Sequence, residues 1–434
     1  MPRTHKKHPI RRRILLGLAA LCVVLLGIFL WRDLVPGRTS SRTSGTAARV
    51  ELSWEEALAD GVLTEEEIAI HYAPEIDAAV NTVISSGGRG DFLAAVDYDG
   101  NWAGTDNWEN IDSYPLNAVV YWTVQETETH WFVGYYFFHP RDDSEIWLDK
   151  HENDLEGIML AIRKQDGAFG QPELMYTQGH GGVPFFYDED WTVTEKSHRD
   201  GGLLLDGDRP VVYITPNGTL DYAGHSVESG KDHSTYLYVG NSGVHYYHGG
   251  VAEEPATYKG DYANNRCSYA LESLQSVYDR RNGPYGDSET FGSYGAFRGE
   301  NYETDAANPP WGWRNKTAFG LSGTFLSDPA WTVARALTGL TDFSETYVNN
   351  HWADWKLTLT PVAGAARAEL LKDGSVVSTD AWFTLNADGC MTFTGTDRET
   401  LWAAGPRETV WQLIVYDKDG NVIDAAWTAE YEGE

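Results

Sequence analysis

Between Asp91 and Val251 the chain repeats one pattern: short aromatic and β-branched runs separated by turn signals. The runs are Val119-Val120-Tyr121-Trp122, Trp131 to Phe138, Ile158 to Ile162, Val211 to Ile214 and Thr235 to Val239. The turns are Asp99-Gly100, Asp166-Gly167, Asn217-Gly218 and Asn241-Ser242-Gly243. Such side chains suit a pleated, half-buried surface, and Gly with Asn or Asp supplies the backbone freedom that tight turns need. The pattern predicts a mainly β fold, organised as a β-sandwich. Composition points the same way: 17 Trp, 24 Tyr and 15 Phe stand beside 44 Gly, a balance that argues against a helical bundle.

Helices are expected at the periphery. Ser53 is placed to cap one that runs through Ala59. Thr64 and Glu67 have capping-box spacing for another, which ends by Tyr72-Ala73-Pro74. Asn265 to Arg281 reads as a third, with Leu271, Leu274, Val277 and Tyr278 on one side. Asp328-Pro329 starts a fourth, stopped near Gly339. Gly283 to Trp313 reads as a long functional loop or an insertion. From Asp354 the grammar changes to short strands, with hairpin turns at Asp373-Gly374, Asp388-Gly389 and Asp419-Gly420. The main domain is therefore expected over 53–353, and a small Ig-like β-sandwich over 354–434.

The N-terminus carries a targeting element. Arg3, Lys6, Lys7 and Arg11-Arg12-Arg13 precede an uncharged apolar run from Ile14 to Trp31, at the lower edge of what spans a bilayer. The expectation is a transmembrane helix within 1–35, with its basic flank cytoplasmic and the bulk of the chain extracytoplasmic. A cleaved signal peptide, giving a secreted protein, is the alternative. Residues 36–52 read as a flexible linker rich in Ser, Thr, Gly and Arg. The formal net charge is −31, although the first fifty residues are strongly basic. That surface disfavours nucleic acid as a partner and suits divalent cations held by carboxylates. Of the 3 cysteines, Cys267 and Cys390 lie beyond the apolar run, so the chain is no disulfide scaffold.

The densest chemistry lies in His151-Glu152-Asn153-Asp154-Leu155-Glu156-Gly157, directly before the apolar run Ile158 to Ile162. Asp154 and Glu156 share a strand face by parity. His151 has the opposite parity and joins them only if the chain turns at Asn153. Ionisable groups at the mouth of a buried strand are costly unless they are paired or bind a cation. Two carboxylates and an imidazole suit Ca²⁺ or Mg²⁺ first and Mn²⁺ next. Asp142 or Asp143, after the strand that ends at Pro140, is placed to add an oxygen ligand. His180, between Gly179 and Gly181-Gly182, is a candidate base, ligand or substrate contact, because glycines allow close approach. His225, in Gly224-His225-Ser226, is a further ligand-binding candidate. Trp102, Trp108, Trp131 and Trp191 are candidate flanking aromatics.

These elements in this order resemble a known superfamily. The strand ending in Pro140-Arg141-Asp142 resembles the Y-x-W-Y-F-P-K-D segment of the necrosis- and ethylene-inducing toxin family. His151-x-x-Asp154-x-Glu156 is similar to the H-x-x-D-x-E positions of its G-H-R-H-D-W-E heptapeptide, and His180-Gly181-Gly182 to its later H-G-G. Arg209 to His225 looks like the vacuolar protein sorting 62-like family, in which an R-P-V-V-Y strand precedes a G-H-x-x-Y turn. The resemblance spans roughly residues 72–250. It implies a toxin- or lectin-like β-sandwich whose divalent cation is held by Asp142, His151, Asp154 and Glu156, with His180 beside it. Leu155 stands where the family has Trp, and Glu152-Asn153 where it has Arg-His, so the toxin target is not carried over. Two functions follow as expectations. One is binding of a glycan or lipid headgroup at a cation-assisted pocket that includes His225, Gly181 and Gly182. The other is a metal-dependent hydrolase or lyase in which Glu156 and His180 carry catalysis.

Overall fold

The computed structural model describes residues 49–83, 85–143, 150–178, 185–188, 198–200, 202–217, 224–230, 242–257 and 260–280, and shorter pieces between 290 and 431. The apolar run Ile14 to Trp31, the loop His180-Gly181-Gly182, Trp191 and the run Thr235 to Val239 lie outside the described residues. No described helix is long and apolar enough to cross a membrane.

The fold is mainly β and centres on one large mixed sheet. Its strands are β1 (Glu75–Ala79), β2 (Val119–Thr127), β3 (His130–Asp142), β4 (His151–Gln165), β5 (Ala168–Gln178), β6 (Phe185–Asp188), β7 (His198–Asp200), β8 (Leu205–Asp206), β9 (Arg209–Ile214), β10 (Val227–Ser229), β11 (Gly243–His248), β12 (Arg266–Ser273) and β13 (Tyr347–Asn349). The order is β10-β9-β1-β11-β12-β2-β3-β4-β5-β6-β7, with β8 on β9 and β13 on β2. Strands β2 to β6 form a run of antiparallel neighbours. The pairs β1–β9, β11–β12 and β12–β2 are parallel.

The β3–β4 hairpin organises the centre. Its register runs from His130↔Arg163 to Asp142↔His151. Strand β4 is buried on both faces from His151 to Ile162, because each face is covered. On one face Tyr135 donates from its hydroxyl to Ala69 O at 2.8 Å, tying the sheet to the helix Glu65–His71. On the other, Tyr136 and Tyr176 pack their rings against Phe325 of the helix Thr324–Ser327. Edge strand β10 lies against β4 and β5, so the sheet curls and its far edge returns over its middle.

Three expected helices begin where the sequence places them, the last of them Pro329–Ala336, whose N-cap Asp328 accepts from Trp331 N. Ser53 with Glu56 and Thr64 with Glu67 both form reciprocal capping boxes, although the first helix stops at Ala57. The expected helix over 265–281 is corrected: Arg266–Ser273 is strand β12, and Gln275–Tyr278 is a single helical turn. Parallel pairing with β11 on one side and β2 on the other satisfies the backbone there and overrides the helical spacing. Beyond residue 354 lie two four-stranded sheets. One has the order Phe383–Leu385, Met391–Phe393, Trp355–Leu359, Trp427–Tyr431; the other has Ser375–Val376, Ala365–Lys372, Trp411–Asp417, Val422–Ile423. Asp417 accepts from the backbone N–H groups of Asp419 and Asn421, closing the hairpin at Asp419-Gly420.

Candidate functional site

The acidic end of the β3–β4 hairpin gathers most of the polar side chains that the sequence singles out. Asp142 and His151 are directly opposed in register, as are His139 and Asp154, and Phe137 and Glu156. Cross-strand partners share a face, so Asp154 and Glu156 point with His139 and Phe137 toward the inside of the curl. The chain turns sharply at Asn153, whose φ is +58°. That left-handed conformation breaks the alternation between His151 and Asp154.

A buried charge network lies on the inner face. His225 contacts Asp154 Oδ2 through Nδ1 at 2.7 Å and Asp91 Oδ1 through Nε2 at 3.2 Å. Both partners are carboxylates, so both ring nitrogens carry protons. Burial alone would strip that second proton, but the hydrogen bonds to Asp154 and Asp91 outweigh it and hold the His225 pKa up to about 10. Burial pushes the Asp91 carboxyl upward. Three N–H donors oppose that shift: His225, Asn217 N at 2.7 Å and Asn81 N at 2.7 Å. His139 stacks on His225 with ring centroids 3.7 Å apart and planes 8° from parallel. Its pKa is driven well below the usual value, first by burial and then by the neighbouring imidazolium. One imidazole of the stack is therefore charged and the other neutral.

Beside this network lies the Asp142–His151 pair. His151 Nδ1 sits 2.9 Å from Asn153 O and 3.2 Å from Glu152 O. Carbonyls only accept, so Nδ1 carries a proton, the way a metal-ligating imidazole is held from behind. Nε2 lies 3.5 Å from Asp142 Oδ2. Six-coordinate divalent cations, with metal–donor distances of about 2.1–2.4 Å, place neighbouring donors roughly 3.0–3.4 Å apart. The pair thus fits one edge of such a site. Gly224 backs onto it: a Cβ there would fall 2.4 Å from Asp142 Oδ1. The turn Gly224-His225 consequently lies against both Asp142 and Asp154.

The remaining candidates are placed as follows. Asp154 Oδ2 accepts from His225 Nδ1. Glu156 is buried one step further along the same strand face. Asp143 is neutralised by Arg141 Nη2 at 2.7 Å and Lys150 Nζ at 3.6 Å. Among the described residues, no three or more His, Cys, Asp or Glu side chains converge in a metal-holding group.

One side of this end is closed by a loop and a distant segment. The Asn153 amide donates to Gly104 O at 2.8 Å and to Arg298 O at 2.6 Å, and its Oδ1 accepts from Asn107 Nδ2 at 3.0 Å. Glu152 Oε1 accepts from Trp108 N at 2.9 Å. Arg141 stacks 4.0 Å above the Trp108 ring, and Arg280 stacks 4.3 Å above that of Trp102. Trp108 therefore flanks the hairpin end, and Trp102 lies two residues before Gly104, whose carbonyl Asn153 contacts there. Trp131 does not flank that end: it pairs with Ile162 at the opposite end of the hairpin, roughly 35 Å away at the rise of an extended strand. Asp91, Asn81 and Asn217 are site residues that the sequence reading missed. Asp91 meets His225 across 134 positions of sequence, and it stands in no local pattern that would mark it.

Comparison with known proteins adds little. No family model matches the chain, and no characterised protein matches it in sequence. Among solved structures, the non-toxic HaNLP3 protein superposes with a TM-score of 0.25 at 14% identity, covering 43% of this chain and 74% of that one. A structure described as a toxin fold for microbial attack and plant defense superposes with a TM-score of 0.24 at 13% identity, covering 38% of this chain and 66% of that one. Superpositions this loose carry no argument about function.

Proposed function

We propose that this chain is a membrane-tethered, extracytoplasmic binding protein. In this reading the curled sheet is a toxin-like sandwich, and 354–434 is an Ig-like module beside it. A divalent cation sits on the edge formed by Asp142 and His151, and it engages the hydroxyls of a glycan or of a lipid headgroup beside Trp108 and Trp102. The observation that carries the reading is the Asp142–His151 pair, with Nε2 and Oδ2 3.5 Å apart and Nδ1 fixed by a main-chain carbonyl. Half-buried tryptophans at the same end supply the apolar faces that sugar rings favour. Binding is favoured over catalysis because Glu156, one of the two residues on which catalysis would rest, is buried. His180, Gly181, Gly182 and Glu156 remain further candidates for contact with the ligand.

Calorimetry on the full chain in detergent, titrated with Ca²⁺, Mg²⁺ and Mn²⁺, tests the cation. Saturable heat is expected for the wild type. It should be weakened at least tenfold in Asp142→Asn and His151→Gln, by analogy with the loss of one ligand of a small site. Equal heats in all three proteins would remove the cation from this edge. A glycan and lipid array run with and without chelator then tests the ligand. Retention that survives chelation detaches the ligand from the pair, and release of a product in place of retention favours the hydrolase reading.

A further inference from the structure

Trp108 and Trp102 each carry an arginine over the ring, and the two guanidinium groups differ in what else they meet. Arg141, over Trp108, is engaged by Asp143, with Nη2 2.7 Å from Oδ2 and its side chain 12% exposed. Arg280, over Trp102 at 4.3 Å, is exposed and has no carboxylate within ion-pair distance among the described residues. Its neighbour Asp279 turns instead to Gln275 Nε2, at 2.5 Å. Arg49, Arg89, Arg163 and Arg209 all reach a carboxylate, as befits a chain of net charge −31. Arg280 departs from that pattern. Its place is fixed by backbone contacts. The Cα atoms of Trp102 and Gly104 are at most about 7.6 Å apart, and Gly104 O and Arg298 O both accept from the Asn153 amide. Thr290 closes the loop: its Oγ1 donates to Trp102 O at 2.9 Å, and its carbonyl accepts from Arg298 N at 2.9 Å.

The carboxylates of the hairpin end face inward: Asp142, Asp143, Glu152, Asp154 and Glu156 are at most 6% exposed. Lys150, by contrast, has a side chain 41% exposed and shares Asp143 with Arg141. One carboxylate between two cations leaves a positive charge in excess. A guanidinium is charged at every pH at which the chain folds. Held flat on an indole, it keeps one orientation and presents its N–H edge outward. That fork matches two oxygens of a carboxylate, sulfate or phosphate, and a stacked arginine has less side-chain entropy to lose than a free one. We propose that Arg280, positioned by Trp102, binds an oxyanion on the ligand of this end. The inference rests on the reading of the hairpin end as a glycan or headgroup site and sharpens it: the ligand is acidic. Arg280 adds charge to the apolar surface that Trp102 offers, and the excess charge at Lys150 favours the same sign of ligand.

The test is retention of the full chain on an array that pairs each neutral probe with an acidic counterpart. One arm carries neutral oligosaccharides beside their uronate, sulfated and phosphorylated forms; the other carries immobilised diacylglycerol beside phosphatidylglycerol. The wild type should prefer the acidic member by about tenfold or more, the worth of a charge-assisted hydrogen-bonded pair, and the arm on which it does so identifies the source of the oxyanion. Arg280→Gln, at an exposed position that folding does not need, should remove the preference and leave retention of neutral probes unchanged. Arg280→Lys keeps the charge without the fork and should fall between the two. Trp102→Leu frees the guanidinium and should weaken the preference a few-fold. Equal retention of acidic and neutral counterparts by the wild type would overturn the proposal, as would an undiminished preference in Arg280→Gln. Chelator separates this result from the cation. An acid preference that needs Arg280 but ignores chelator removes the cation from the Asp142–His151 edge and keeps the inference. Chelator-sensitive retention that ignores Arg280→Gln does the reverse.

Discussion

Asn153 shows how one side chain holds a functional end together. The spacing of His151 and Asp154 already requires a break in strand alternation if the two are to serve one site, and Asn is among the few residues that adopt positive φ at low cost. Its φ of +58° meets that requirement. The sequence does not disclose the second duty of its amide, which bridges Gly104 O, Arg298 O and Asn107 Nδ2. Two substitutions separate these duties. Asn153→Gly keeps the backbone conformation and loses the bridges, leaving buried carbonyls unsatisfied at a cost of about 1–3 kcal/mol. Asn153→Ala loses the bridges and also bears the left-handed penalty of about 1–2 kcal/mol. The alanine variant should therefore unfold at lower denaturant than the glycine variant, and both below wild type. Coincident midpoints for the two variants would show that the φ requirement contributes nothing.

At the scale of elements, the network Asp91–His225–Asp154 joins the 3₁₀ turn Arg89–Asp91, strand β4 and the turn before β10. A buried ion pair adds little stability over an apolar equivalent, but removing one partner strands a charge and costs about 3–5 kcal/mol. His225→Ala should lose that much in denaturant unfolding, and cation affinity at Asp142 should weaken with it because Gly224 loses its support. A destabilisation below 1 kcal/mol would mean that water replaces the imidazole without penalty. Local features were legible in the sequence: both capping boxes follow from Ser53/Glu56 and Thr64/Glu67, and the runs 119–122, 131–138, 158–162 and 211–214 all lie in strands. What depends on distant partners was not. Strand β4 starts at His151, because β3 pairs with it all the way to Asp142. Arg266–Ser273 is a strand because β11 and β2 flank it. His225 stands out as a histidine after a glycine and through the resemblance over Arg209 to His225, and neither signal discloses the two carboxylates that charge it, which lie elsewhere in the chain.

At the scale of the whole molecule, the strand order is set by parallel pairs such as β1–β9 and β12–β2, whose members are far apart in sequence. Composition and turn signals specify that strands form, not which of them meet. The burial of that sheet has a measurable consequence in acid. His248, the last residue of β11, is pushed down to about 4, first by burial and then by the Arg209 charge. In the unfolded chain the same imidazole titrates near 6.5. Between those values the unfolded state binds a proton that the folded state refuses, so unfolding becomes more favourable as pH falls. The loss begins below about pH 6.5, grows until about pH 4, and reaches at most about 3 kcal/mol, at 1.36 kcal/mol for each pKa unit. Carboxylates titrate through part of this window, so the informative quantity is the difference between wild type and His248→Gln. Denaturant unfolding of both proteins from pH 7 to pH 4 should give a shallower decline for the variant. Parallel curves would place the acid sensitivity of the fold elsewhere, and would mean that His248 takes up its proton inside the folded molecule.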